Sequence, residues 1–219
     1  MHIEVADYNN AAQVIANSYG CQWAEIEGVL RKMPLYLKAS DQAGIQGRAI
    51  FDPVGTNQHI ANGLVSLGWK QKIPIPEAFK FLGTDVDFGR RGVVLEVQFS
   101  NYPFLLNNTQ RSDLFFRAKT VFHEAPTGLV IIVTKSGMFP SSNSTLYYEL
   151  AVNQLTALSQ HAAFSVPIRL VGLFESVGRV QATWTEYSTA RYSRTVSTRS
   201  QRSFDIANGQ ASKCTIEPV

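Results

Sequence analysis

A chain of 219 residues with 45% hydrophobic and 17% charged side chains has the size and balance of one folded domain and is too apolar for a disordered chain. Its 20 basic and 17 acidic residues leave a formal charge of +3, an average field too weak to name a polyanion partner. Cys21 and Cys214 stand far apart with no C-x-x-C pair, which argues against a zinc site or a disulfide framework and fits a reducing cytoplasm. The start MHIEVADYNN lacks signal-peptide character, and no apolar run approaches the roughly 20 residues of a membrane span, so a cytoplasmic protein with no membrane association is expected.

From Ala11 to Met33 apolar residues recur at helical spacing, with Gly20 as an interruption and Pro34 as the stop. Pro53 to Leu67 carries a second helical pattern, and Lys70 to Pro76 reads as a lysine- and proline-marked connection. Between Phe81 and Asn101, alternation of Val86 and Phe88 with Asp85 and Asp87, a turn at Gly89 to Gly92, and the β-branched run Val93 to Phe99 predict a hairpin. Pro103 to Val121 reads as helix and Leu129 to Thr134 as a buried strand. Ser144 to Ala163 reads as a long helix capped by Asn143 and Ser144, and Pro167 to Phe174 as another buried strand. Strands alternating with helices predict an α/β arrangement, a central mixed β-sheet flanked by helices on both faces, over a single unit 1–219. From about Ser203 the apolar pattern fades, and a loose tail is expected.

The informative chemistry lies in Asp87, Glu96 and Gln98. On a strand, Glu96 and Gln98 share a face, and the tight turn brings Asp87 beside Glu96. Converging carboxylates repel, and a hard divalent cation with oxygen ligands is the usual reason to keep them together. Mg2+ suits two carboxylates because it takes the rest of its shell from water and phosphate. A hairpin with acids on one solvated face accounts for D-V-D and E-V-Q equally well on spacing alone. Asp85 alternates onto the face of Asp87 and stands as a supporting candidate.

The run Arg191 to Arg202, RYSRTVSTRSQR, has four arginines, several hydroxyls and no carboxylate, a composition for phosphate contact or for a solvated tail. His2, His59, His123 and His161 are dispersed, and no G-x-G-x-x-G, Walker loop or G-x-S-x-G is present.

The stretches KASDQAG, IFDPVGTNQ, IPIP, FLGTDVDFG, LEVQFSNYPFLLNNT, MFP followed by SNS and LYYE, VPIRLVGL and RYSRT occur in order along most of the chain. Together they resemble the BglII-like type II restriction endonucleases, in the BamHI/BglII branch of the PD-(D/E)xK superfamily. The resemblance implies a restriction endonuclease-like fold, hydrolysis of double-stranded DNA at a palindrome with a GATC core, AGATCT first and RGATCY or GGATCC as close variants, and 5′ overhangs. It implies Mg2+, a homodimer, and a DNA methyltransferase as functional counterpart. Asp87 and Glu96 become metal ligands and Gln98 the third active-site residue, where the superfamily usually has Lys. An amide has no accessible pKa, so Gln98 would orient the nucleophile.

Lys72, just before IPIP, replaces the Asn of the BglII-like branch and either meets a scissile phosphate or is simply exposed. Ser100, Asn101, Asn143 and Ser144 are implied base readers, and Arg111, Tyr192 and Arg194 further DNA contacts, in loops around 140–145 and 190–203. Plain helix capping by Asn143 and Ser144 is the alternative. Two rival functions stay open: a structure-selective repair or recombination nuclease of the same superfamily, and a sequence-specific DNA-binding protein without catalysis.

Overall fold

The computed structural model describes residues 1–189, 195–209 and 213–219. The chain opens with strand β1 (His2–Tyr8), helix α1 (Ala11–Val14), a π-helical turn Ile15–Tyr19 and helix α2 (Gly20–Arg31). The interruption expected at Gly20 is thus a π segment just before it. Pro34 separates α2 from β2 (Leu35–Ala39), followed by β3 (Ala49–Phe51) and α3 (Pro53–Ser66). Pro53 supplies the preset first helical residue of α3, and Asp52 Oδ1 caps it by accepting from Val54 N at 3.1 Å.

The segment expected as a connection at 70–76 contains an edge strand, β4 (Lys70–Pro74), and this corrects the sequence reading. Exposed lysines and Pro74 are residues that an edge tolerates and a central strand does not. A 3-10 turn, Glu77–Leu82, leads into the hairpin β5 (Asp85–Arg90) and β6 (Val93–Val97). Arg90 pairs with Val93 across two residues of positive φ, Arg91 at 44° and Gly92 at 84°, the geometry of a type I′ turn.

Next come α4 (Pro103–Arg117), the short pair β7 (Val121–His123) and β8 (Ala125–Pro126), β9 (Leu129–Lys135), α5 (Tyr148–Gln160) and β10 (Ile168–Phe174). Helix α5 begins four residues later than the sequence pattern suggests. Asn143 and Ser144 therefore lie in an irregular segment before it and do not cap it.

Six strands form a mixed sheet in the order β1-β10-β9-β6-β5-β4, with β10, β9 and β6 mutually parallel at its centre. Every residue of β9 is buried, as befits a central strand covered on both faces. One face packs on α4 and α5 through Val94, Val130, Ile132, Leu105, Phe115 and Leu155.

The other face meets α2 and α3 and a second sheet, which the sequence reading lacked. That sheet runs β13-β12-β11-β2-β3 and contains β11 (Gly178–Tyr187), β12 (Val196–Asn208) and β13 (Cys214–Pro218). The loose tail expected after Ser203 is instead two strands. Alternate residues Phe204, Ile206, Cys214 and Ile216 are buried against Leu30, Leu35 and Phe51. Among the described residues no helix is long and apolar enough to cross a membrane.

Candidate active site

The β5–β6 ladder ends at Phe88 and Leu95, so the next opposed residues are Asp87 and Glu96, on the sheet face that α4 covers. Beyond that point the strands part. The amide of Val97 donates to Asp87 Oδ2 at 2.8 Å, and Gln98 N turns to Val133 O of β9 at 2.8 Å. Asp87 thereby closes the end of the ladder with one oxygen.

Glu96 sits in a central strand and is only 2% exposed, while Asp87 is half-buried. From α4, Arg111 donates from Nη2 to Glu96 Oε1 at 2.7 Å and from Nη1 to the Asp85 carbonyl at 3.4 Å. Burial pushes the Glu96 carboxyl up to about 8, opposed by the Arg111 guanidinium and reinforced by the charge of Asp87. The Asp87 carboxyl is raised for the same reason, against the amide of Val97 and the cations Arg111 and Lys72. Two carboxyls thus stand in a site where burial opposes the ionisation of both and the Arg111 guanidinium offsets it only in part.

Lys72 lies on β4 between the pairs Gln71↔Phe88 and Ile73↔Val86, which puts it opposite Asp87. It is exposed, with a φ of 51° that a lysine rarely adopts. Such backbone strain gathers at functional sites. Asp85 accepts from Thr84 Oγ1 at 3.1 Å and adds negative charge near Asp87.

The amide of Gln98 bridges outward from the carboxylates. Its Nε2 donates to Ser100 Oγ, and its Oε1 accepts from Asn108 Nδ2 at 3.3 Å. Ser100 and Asn101 are exposed directly after it, and the segment 143–146 lies against them. Thr145 N and Leu146 N donate to Ser100 O at 3.1 and 3.0 Å, and Ser144 Oγ donates to Phe99 O at 2.7 Å. Asn143, with a φ of 49°, is exposed. The structure therefore brings Asp87, Glu96, Gln98, Ser100, Asn101, Asn143 and Ser144 into one continuous region.

Arg111, expected as a further DNA contact, is bonded to Glu96. Tyr192 and Arg194 lie outside the described residues. Two participants escaped the sequence reading. Asn108 is a polar residue buried on α4, and Lys135 is a lysine ending the otherwise apolar run Leu129 to Thr134, a break in pattern that could have drawn notice.

Among the described residues no group of three or more His, Cys, Asp or Glu side chains gathers at a point. Asp87 and Glu96 still fit a hard divalent cation. The Arg111 guanidinium, 2.7 Å from Glu96, already stands where positive charge is wanted, and a two-carboxylate set suits an ion that keeps several waters.

A mixed sheet with paired carboxylates on adjacent strands at its centre, flanked by helices, defines a restriction endonuclease fold. The model of the restriction endonuclease BglII/BglIII family matches residues 3–173. The type II restriction enzyme BglII of Bacillus subtilis is 53% identical over 200 residues, covering 91% of this chain and 88% of that one. The crystal structure of restriction endonuclease BglII complexed with a DNA 16-mer matches with a TM-score of 0.96 at 49% identity, covering both chains completely. The crystal structure of free BglII matches at 0.78 and 46%, again over both whole chains. The chain belongs to the BglII/BglIII restriction endonuclease family and is a type II restriction enzyme.

Proposed function

We propose that this chain hydrolyses double-stranded DNA at a palindrome with a GATC core, AGATCT, cutting both strands as a homodimer to leave 5′ overhangs, with Mg2+ as cofactor. The observation that carries this reading is the convergence of Asp87 and Glu96 on adjacent strands. These two side chains would hold the ion, which when bound supplies Lewis-acid charge and makes water a nucleophile near neutral pH. Gln98, lacking a proton to trade, orients rather than deprotonates. Lys72, on the exposed edge opposite Asp87, offers a point charge to the scissile phosphate.

Ser100, Asn101, Asn143 and Ser144 carry the donors and acceptors suited to base edges in the major groove. Tyr192 and Arg194 are read as further contacts by family resemblance alone. Helix α4 leaves Phe104, Leu106 and Leu114 exposed, apolar area in keeping with a self-complementary dimer contact. A dimer gives one active site per strand of a palindrome. A methyltransferase of the same specificity in the same cytoplasm would protect the host's own sites.

Sequencing the ends of plasmid DNA digested in Mg2+ tests the reading directly. Discrete fragments ending within AGATCT are expected. Ends within RGATCY or GGATCC would replace the proposed word, and nicking that follows DNA structure rather than sequence would overturn it.

A further inference from the structure

Beyond the carboxylate site, the chain buries a lysine where the catalytic strand meets the base-reading segment. Lys135 ends β9, is 2% exposed, and donates from Nζ to Ser144 Oγ at 2.7 Å and to Leu146 O at 2.8 Å. Ser144 Oγ in turn contacts Phe99 O at 2.7 Å and Ser100 O at 2.9 Å. Thr145 Oγ1 is 3.2 Å from Asn101 Oδ1 and accepts from Tyr102 N at 3.3 Å. Ser100 Oγ then meets Gln98 Nε2, two residues from Glu96.

A buried ammonium is costly, and these partners are a hydroxyl and a carbonyl rather than a carboxylate. Glu149, the nearby acid, spends its oxygens on Ser136 Oγ at 2.6 Å and Gly137 N at 2.8 Å. An apolar side chain would fill this site in β9 at lower cost, so the lysine is to be explained by what it holds. What it holds is the irregular segment 143–146, whose Ser144, Thr145 and Leu146 bond in turn to 99–102, a junction that no strand ladder makes.

We propose that Lys135 is a positioning residue that latches the base-reading segment 143–146 to the end of the catalytic strand, making cleavage conditional on correct base contact. The proposal rests on the reading of Asn143, Ser144, Ser100 and Asn101 as base readers. A displaced 143–146 segment pulls on Ser100 and, through it, on the amide of Gln98. The ammonium touches neither DNA nor metal in this role.

Lys135→Met keeps the length and removes the donors. Single-turnover cleavage of a cognate duplex and of one with a single mismatched base pair gives the deciding ratio. The variant is expected to narrow that ratio about tenfold or more, the scale of losing hydrogen bonds to a charged group, with the Mg2+ requirement unchanged. Rates falling by one common factor on both duplexes, or a ratio equal to the wild type's, would overturn the proposal, since a lysine that merely supports the fold moves both alike. If Lys135→Met melts too low to assay, Lys135→Gln, which is too short to reach both partners, is read by the same ratio. Asn143→Ala separates this inference from the reading beneath it, with an expected narrowing of about ten- to a hundredfold. An effect of Lys135→Met alone sinks Asn143 as a base reader and leaves the latch standing; an effect of Asn143→Ala alone sinks the latch.

Discussion

The β5–β6 hairpin and the paired strands β11 and β12 are both antiparallel and both polar, yet they use polarity in opposite ways. In the first, Asp87 and Glu96 stand just beyond the last ladder pair, Phe88 and Leu95, the one half-buried and the other buried, with Arg111 bonded to Glu96. In the second, Arg179 pairs with Asp205 and Arg202 with Glu186 on an exposed ladder, and Arg199 reaches Gln58 of α3. Exposed pairs exchange with water and salt and contribute little, whereas a buried carboxylate pair is costly and persists only where something compensates it. On the proposed reading, charge in the hairpin marks chemistry, and charge on the second sheet marks a surface.

The sharpest test of that contrast is Glu96→Ala. Cleavage should fall by about 10³-fold or more, several kcal/mol of lost charge stabilisation, while specific DNA binding in a gel-shift assay persists. Ordinary turnover by this variant would remove the hairpin from the chemistry.

Arg111→Gln comes next. The guanidinium is the main influence pulling the Glu96 carboxyl down against burial. Its loss should raise the Ca2+ concentration needed for half-saturation at pH 7 about tenfold, as followed by calorimetry. A reduced requirement would instead make Arg111 a competitor for the ion.

The same carboxyl predicts a pH dependence in the wild type. Its pKa in the fold is about 8 against an ordinary 4.5, so the metal-free protein binds the extra proton when folded. That contribution to stability is complete below 4.5 and is lost as pH rises toward 8. Metal binding, which needs the carboxylate, strengthens over the same interval and levels off above it. Melting temperatures with and without Mg2+ across this range check the sign, and parallel curves would contradict it.

The smallest effect belongs to the second sheet. Arg199→Gln should flatten the salt dependence of DNA binding by about one in log–log slope and leave the cognate-to-mismatch ratio intact. A change in that ratio would give the surface a part in reading sequence.

The hairpin was legible because its signals are local. Alternation, a turn that demands positive φ, and β-branched residues all occur within 85–97. The second sheet was hidden because its interior is made of single apolar residues on alternate positions of β12 and β13, each paired with elements far away in the chain. Helix α5 was overextended toward its N-terminus because Ser144 and Leu146 look helical in sequence. In the fold, Lys135 and Ser100 claim their hydroxyl, amide and carbonyl groups.

By itself the sequence determined the mixed α/β class and the hairpin, because short-range periodicity and turn chemistry act over a few residues, while the choice of Asp87, Glu96 and Gln98 as a site came from the ordered family stretches. Only the tertiary structure decided that Arg111 bonds Glu96, that Lys135 bonds Ser144 and Leu146, and that the C-terminal stretch completes a second sheet. Those contacts join residues that are distant in the chain, and burial of their charges and hydrogen bonds depends on how the layers pack, which no local pattern encodes.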